Sequence, residues 1–139
     1  MSSKRMQVGD EIGPLVKPAV SNTQLVMYSG ASGDYNPIHT VEEFAQQAGL
    51  GGVIVHGMLT MAFVGQLLTD TIGNDGDLLT FGARFTGMVR PGDVITCAGR
   101  VIEAGVDGEK QVVTCEVWAS TQKGDQVVIG QAKYTMPVA

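Results

Sequence analysis

Apolar and polar positions divide the chain into two halves of different period, the first helical in spacing and punctuated by glycine, the second alternating in strand-length blocks. Ser21 followed by Gln24 has the spacing of a capping box and predicts a helix through Leu25, Val26 and Tyr28 towards Gly30. Thr40 and Glu43 repeat that spacing before a short helix, Val41 to Ala48, with Gly49 as its stop. Asn36-Pro37 is an alternative start, because proline suits the first helical position. From about Gly57 to Thr71 the residues Met58, Leu59, Met61, Ala62, Phe63, Val64, Leu67 and Leu68 leave only a thin polar stripe at Thr60 and Gln66. A helix so apolar all round belongs inside other elements.

Those other elements follow directly. Thr80–Val89, Val94–Glu103, Gln111–Thr121 and Gln126–Pro137 are each strand-length, with alternation clearest at Phe81, Ala83, Phe85 and at Ala132, Tyr134, Met136. Pro91-Gly92-Asp93, Val106-Asp107-Gly108 and Lys123-Gly124-Asp125 lie between them as turn chemistry, which predicts an antiparallel meander. Helices followed by strands, with no repeat or linker, predict one α+β domain over residues 1–139: an antiparallel sheet around a buried helix.

Composition narrows the partners. A 139-residue chain that is 44% hydrophobic supports one core. Its net charge of -5 and lack of any basic tract argue against a nucleic-acid partner. The polar start MSSKRMQVGD lacks the apolar core of a secretory signal, so the expected location is cytoplasmic. Phe44 to Thr69 contains no Asp, Glu, Lys or Arg, yet glutamines, glycines and His56 keep it short of the ~18 unbroken apolar residues of a membrane span. Cys97 and Cys115 lie in strand-like stretches without CxxC spacing and read as reduced, half-buried thiols.

Both histidines fall within Tyr28–Leu68. Asp34 and His39 are five residues apart across a Tyr-Asn-Pro turn, so a carboxylate and an imidazole can converge on one water as general acid/base equipment. His39 also precedes a predicted helix start, whose positive end favours a neutral ring. The plainer alternative is that Asp34 caps the turn and His39 closes the helix entrance; a metal site from Asp34, His39 and His56 is a third. His56-Gly57-Met58 opens the buried helix, where unpaired N–H groups can hold a carbonyl oxygen that becomes negative, although Gly57 can equally be a packing or capping glycine. Gly49, Gly51 and Gly52 read as a flexible connection.

As a whole, Gly33-Asp34-x-Asn36-Pro37-x-His39 followed by Ile54-Val55-His56-Gly57-Met58 closely resembles the hydratase signature of the MaoC-like dehydratase family. That family includes (R)-specific enoyl-CoA hydratases and 3-hydroxyacyl thioester dehydratases. Weaker agreement runs through Phe81-x-x-Arg84-Phe85 and Val89-x-Pro91-Gly92-Asp93. The resemblance implies a hot-dog fold whose subunits join edge to edge into a homodimer or higher homo-oligomer. It implies a catalytic Asp34–His39 dyad buttressed by Asn36, a thioester carbonyl polarised at the His56-Gly57 segment by the Gly57 N–H, and no cofactor or metal. The implied substrate is an acyl-CoA or acyl-carrier-protein thioester. Tyr28 reads as core, and Gly65 falls where some family members carry a small polar residue, so pocket depth departs from the pattern there.

Charge adds one expectation. Residues 18–83 hold no Lys or Arg, so a basic mouth for an anionic carrier must come from the strand half, with Arg84 and Arg90 as first candidates. Two alternatives share the fold: a thioesterase, and a partner-dependent acyl-binding subunit.

Overall fold

A computed structural model describes residues 5–138, so the outermost positions of the expected 1–139 domain and of the polar N-terminal stretch lie outside the described residues. Strands β1 (Glu11–Val16), β2 (Asp77–Phe85), β3 (Thr96–Asp107), β4 (Lys110–Ser120) and β5 (Gln126–Pro137) form one sheet. Helices α1 (Asn22–Ser32), α2 (Glu42–Gln47) and α3 (Gly57–Ile72) lie between β1 and β2, with a 3₁₀ turn at Pro37–His39. The order across the sheet is β1-β3-β4-β5-β2, with all neighbours antiparallel. This is the hot-dog arrangement, α+β, with the sheet curled around α3.

The expected meander holds for β3, β4 and β5 only. Gly108 and Glu109 turn the chain between paired Asp107 and Lys110, and Lys123-Gly124-Asp125 closes the next hairpin, with Thr121 N–H bonded to the Asp125 carbonyl. β2 pairs with β5 at the far edge instead of with β3. Its strand ends at Phe85, and the stretch through Pro91-Gly92-Asp93 crosses the molecule. Val55 N–H bonds to the Val89 carbonyl, and Gly92 N–H and the Asp93 carbonyl bond to the main chain of Val20. The vacated place beside β3 is taken by β1, which the sequence reading missed because Gly13 and Pro14 interrupt it. An edge strand tolerates both, and the register shifts there between Ile12 and Leu15.

Inward residues of the sheet meet one face of α3: Leu59, Phe63, Val64, Leu67, Leu68 and Ile72 pack with Val101, Val113, Cys115, Val117, Ala132 and Tyr134. The expectation of a helix enclosed all round needs correction. Met58 is 56% exposed, so α3 keeps an open apolar side in the single chain. No helix among the described residues is long and apolar enough to cross a membrane.

Both thiols are fully buried, deeper than the sequence reading placed them, and burial pushes each up to about 11 from an ordinary 9.0. Two results are expected. An aromatic disulfide reagent at pH 8 leaves both thiols of the native protein unmodified while the urea-unfolded chain reacts fully. Between about pH 9 and about pH 11 the unfolded chain releases thiol protons that the folded chain retains, so stability falls as pH rises through that window. Denaturant midpoints measured across it check the sign.

Candidate active site

The site begins where α1 ends. Gly33 adopts a left-handed conformation, φ 78°, and its N–H caps the Ser29 carbonyl, turning the chain sharply out of the helix. α1 therefore runs past Gly30, with Ser21 at its start accepting from Gln24 N–H as the capping spacing predicted. After the turn, Asp34 Oδ1 accepts the Asn36 N–H at 3.2 Å and Asn36 Oδ1 accepts the Ile38 N–H at 3.2 Å. The Asn36 carbonyl accepts the His39 N–H at 3.1 Å. Asn36 thus links the side chain of Asp34 to the main chain of His39. Pro37 opens the 3₁₀ turn, the alternative start read from sequence. Thr40 caps the end of that turn, which leaves α2, beginning at Glu42, with Val41 as its N-cap and no side-chain cap, and overturns the Thr40–Glu43 capping box.

His39 is buried, and its Nδ1 lies 2.8 Å from the Ile54 carbonyl. A carbonyl only accepts, so in the neutral ring the proton sits on Nδ1 and Nε2 presents a lone pair. That Nε2 faces Asp34 Oδ2 at 3.5 Å, and the Asp34 side chain is 50% exposed. With the ring neutral, two acceptors confront one another across a gap with an open side.

His56 comes from a segment seventeen residues further along the chain, yet its ring stacks on His39 with centroids 3.8 Å apart and planes 20° from parallel. The Ile54 main chain makes this possible. Its N–H bonds to the Ile38 carbonyl and its carbonyl to His39, so Val55 and His56 follow directly behind the His39 ring. Burial, and secondarily the charge His39 can carry, hold His56 below the ordinary imidazole value. Gly57 is exposed and is the first residue of α3, so its N–H has no partner within the helix. The Phe85 ring lies 3.3 Å from the point a Cβ on Gly57 would occupy.

Ligand atoms of Asp34, His39 and His56 all lie within 4.8 Å of one another, so the chain does gather the three groups weighed as a metal site. The stack disfavours chelation. Rings 3.8 Å apart and 20° from parallel keep their in-plane lone pairs in two separate, near-parallel planes, a poor arrangement for converging on one ion at the ~2.0–2.1 Å of a zinc–nitrogen bond.

Other expectations change in three dimensions. Arg84 precedes Phe85 on β2, and neighbours on a strand point to opposite faces. Phe85 faces Gly57, whereas Arg84 lines a groove of about 820 Å³ on the outer sheet face with Arg100, Glu116 and Trp118. The single chain does not bring Arg84 to the Asp34–His39 pair. Arg90 is not a free cation either: its guanidinium donates to the Gly52 carbonyl at 2.8 Å and to the Leu50 carbonyl. With Glu42 Oε2 accepting the Val53 N–H, it pins the glycine segment read as a flexible connection. The residue missed altogether is Ser29, whose Oγ lies 3.0 Å from His56 Nε2. Only its place four residues after Leu25, on the buried side of α1, hinted at it.

Comparison with known proteins agrees with this architecture. An (R)-hydratase of A. caviae involved in PHA biosynthesis superposes with a TM-score of 0.83 at 27% identity, covering 95% of this chain and 98% of that one. An (R)-specific enoyl-CoA hydratase of Rhodospirillum rubrum is 30% identical over 119 residues, 85% of this chain and 81% of that protein. A fatty acid synthase subunit beta of Aspergillus oryzae is 45% identical over 87 residues, 55% of this chain, and the match spans only 4% of that much longer subunit. The profile of the MaoC like domain matches residues 5–123, and with that span, this fold and these relatives the chain belongs to the MaoC like domain family.

Proposed function

We propose that the chain is a hydro-lyase that adds water reversibly across the 2,3 double bond of a trans-2-enoyl thioester, giving the (R)-3-hydroxyacyl thioester of coenzyme A or acyl-carrier protein. The observation that carries this reading is the 3.5 Å gap between Asp34 Oδ2 and His39 Nε2. With the ring neutral, the carboxylate oxygen and the imidazole lone pair can both accept from one water seated on the open side of the pair, each taking one of its hydrogens.

In the hydration direction the water oxygen bonds to C3 as one of its protons passes to the dyad. The π electrons move towards the thioester carbonyl, whose oxygen becomes negative and is held by the Gly57 N–H at the start of α3. The dyad then delivers a proton to C2. Net change is one water added, and no oxidant or reductant enters. Asn36 contributes by holding Asp34 Oδ1, which leaves Oδ2 for the water. The Nδ1 bond to Ile54 fixes the His39 tautomer.

The reading extends to a homodimer joined at β2. That strand is an unpaired edge with Leu78, Leu79 and Phe85 exposed, continuous with the open Met58 side of α3. A long apolar edge is a ready template for another strand. Phe85 at the end of β2 already lies against Gly57, so a second copy over β2 would wall the acyl arm's path at the start of α3.

The test follows loss of the enoyl absorbance with crotonyl-CoA and a longer trans-2-enoyl-CoA, with chiral analysis of the product. Formation of the (R)-3-hydroxyacyl thioester is expected. An enzyme inert towards both, but releasing thiol from saturated acyl-CoA, would be a thioesterase and would overturn the proposal.

A further inference from the structure

One buried polar contact is not used by the chemistry above. Ser29 and His56 are 3% and 1% exposed, and they meet through Ser29 Oγ and His56 Nε2 at 3.0 Å. A serine inside a helix ordinarily returns its hydroxyl to the carbonyl one turn back. Here it reaches out of α1 to a ring that opens α3 and stacks on His39.

We propose that Ser29 and His56 are a positioning pair, in which the serine hydroxyl donates to His56 Nε2 and the ring so held supports His39 of the Asp34–His39 dyad. The proposal rests on the reading of that dyad as the water-activating group.

The direction of the Ser29 bond follows from the other ring nitrogen. His56 Nδ1 is buried and makes no hydrogen bond of its own. If Nε2 carried the proton, Nδ1 would present a bare lone pair in a dry site, where the main chain and charge of Asp34 favour a proton on the ring. With the hydroxyl as donor, Nε2 is the acceptor and Nδ1 carries the hydrogen. Burial, and secondarily the neighbouring His39, hold the ring neutral against the main chain and charge of Asp34. A neutral ring whose Nε2 accepts from Ser29 carries its hydrogen on Nδ1. Tyr28, near-perpendicular to the ring at 4.8 Å between centroids, adds packing without charge.

Neutrality matters for the chemistry. When His39 takes a proton from water, its ring becomes cationic 3.8 Å from His56. A neutral His56 presents a π face to that cation, whereas a protonated one would oppose it directly. Without Ser29, Nε2 loses its partner and the ring can rotate, so the surface against which His39 is registered is lost.

The experiment combines kinetics with ¹⁵N-histidine NMR, using wild type beside Ser29→Ala. In the resting wild-type protein at pH 7, His56 is expected as the Nδ1–H tautomer. Ser29→Ala is expected to lower kcat about tenfold and leave KM within about twofold, because a supporting layer sets geometry and does not touch substrate. The His56 tautomer is expected to change in the same variant. A wild-type His56 protonated on Nε2, or a folded Ser29→Ala protein with kcat within about twofold of wild type, would overturn the proposal. If Ser29→Ala does not fold, the wild-type spectrum decides alone. Absence of hydratase activity in wild type would refute the proposed function, and the NMR would still read the Ser29–His56 bond.

Discussion

Asp34→Asn and His39→Ala are each expected to lower kcat for enoyl-thioester hydration by about 10²–10⁴-fold, with KM changed far less. In Asp34→Asn the amide would keep the shape and one acceptor oxygen, but it cannot take a proton from water. Should its NH₂ turn towards His39 Nε2, it would donate across the 3.5 Å gap and occupy the imidazole lone pair that the proposed water needs. His39→Ala removes the only lone pair facing that gap from the imidazole side and uncovers the stacked face of His56. If both groups act on one water, as proposed, the two losses are expected not to add in the double variant. Steady-state kinetics on the three variants, with circular dichroism to establish that each is folded, is the check. A single variant retaining more than about a tenth of wild-type kcat would remove that residue from the dyad.

The second large effect concerns stability. Leu68→Ala is expected to cost about 2–5 kcal/mol, read as a lower denaturant midpoint at unchanged slope. Leu68 is wholly buried in the core that α3 shares with the sheet. Truncation there leaves a void between a helix and strands tied by pairing on both sides, so little collapse can fill it. That cost is a large share of the ~5–15 kcal/mol typical of a domain. A loss under about 1 kcal/mol would mean that α3 is not the centre of the core.

Local chemistry was legible in the sequence wherever neighbours in the chain are also neighbours in space. The capped start of α1 at Ser21, the span of α3, the β3-β4-β5 hairpins and the Asp34-to-His39 turn all rest on spacings of a few residues. Asp34 and His39 are held together by hydrogen bonds spanning only residues 34 to 39, which is why a motif could announce them.

Pairing between distant segments left no such trace. Whether β2 lies beside β3 or β5 is not written in the alternation of either strand. It was decided by the crossing that ties Val20 to Gly92 and Asp93, and by β1 occupying the freed edge. Strand parity sent Phe85 to the helix and Arg84 to the outer face, a one-residue distinction that a count of basic residues cannot make. Arg90 reads as a surface cation until the carbonyls of Leu50 and Gly52 are brought to it. The stacking of His56 on His39, and the place of Ser29 behind both, depend on three segments converging through the main chain of Ile54. By itself the sequence determined which groups the protein owns and which of them are bound by short turns. The tertiary structure decided which distant groups face one another, because burial drives apolar faces together without regard to their separation along the chain.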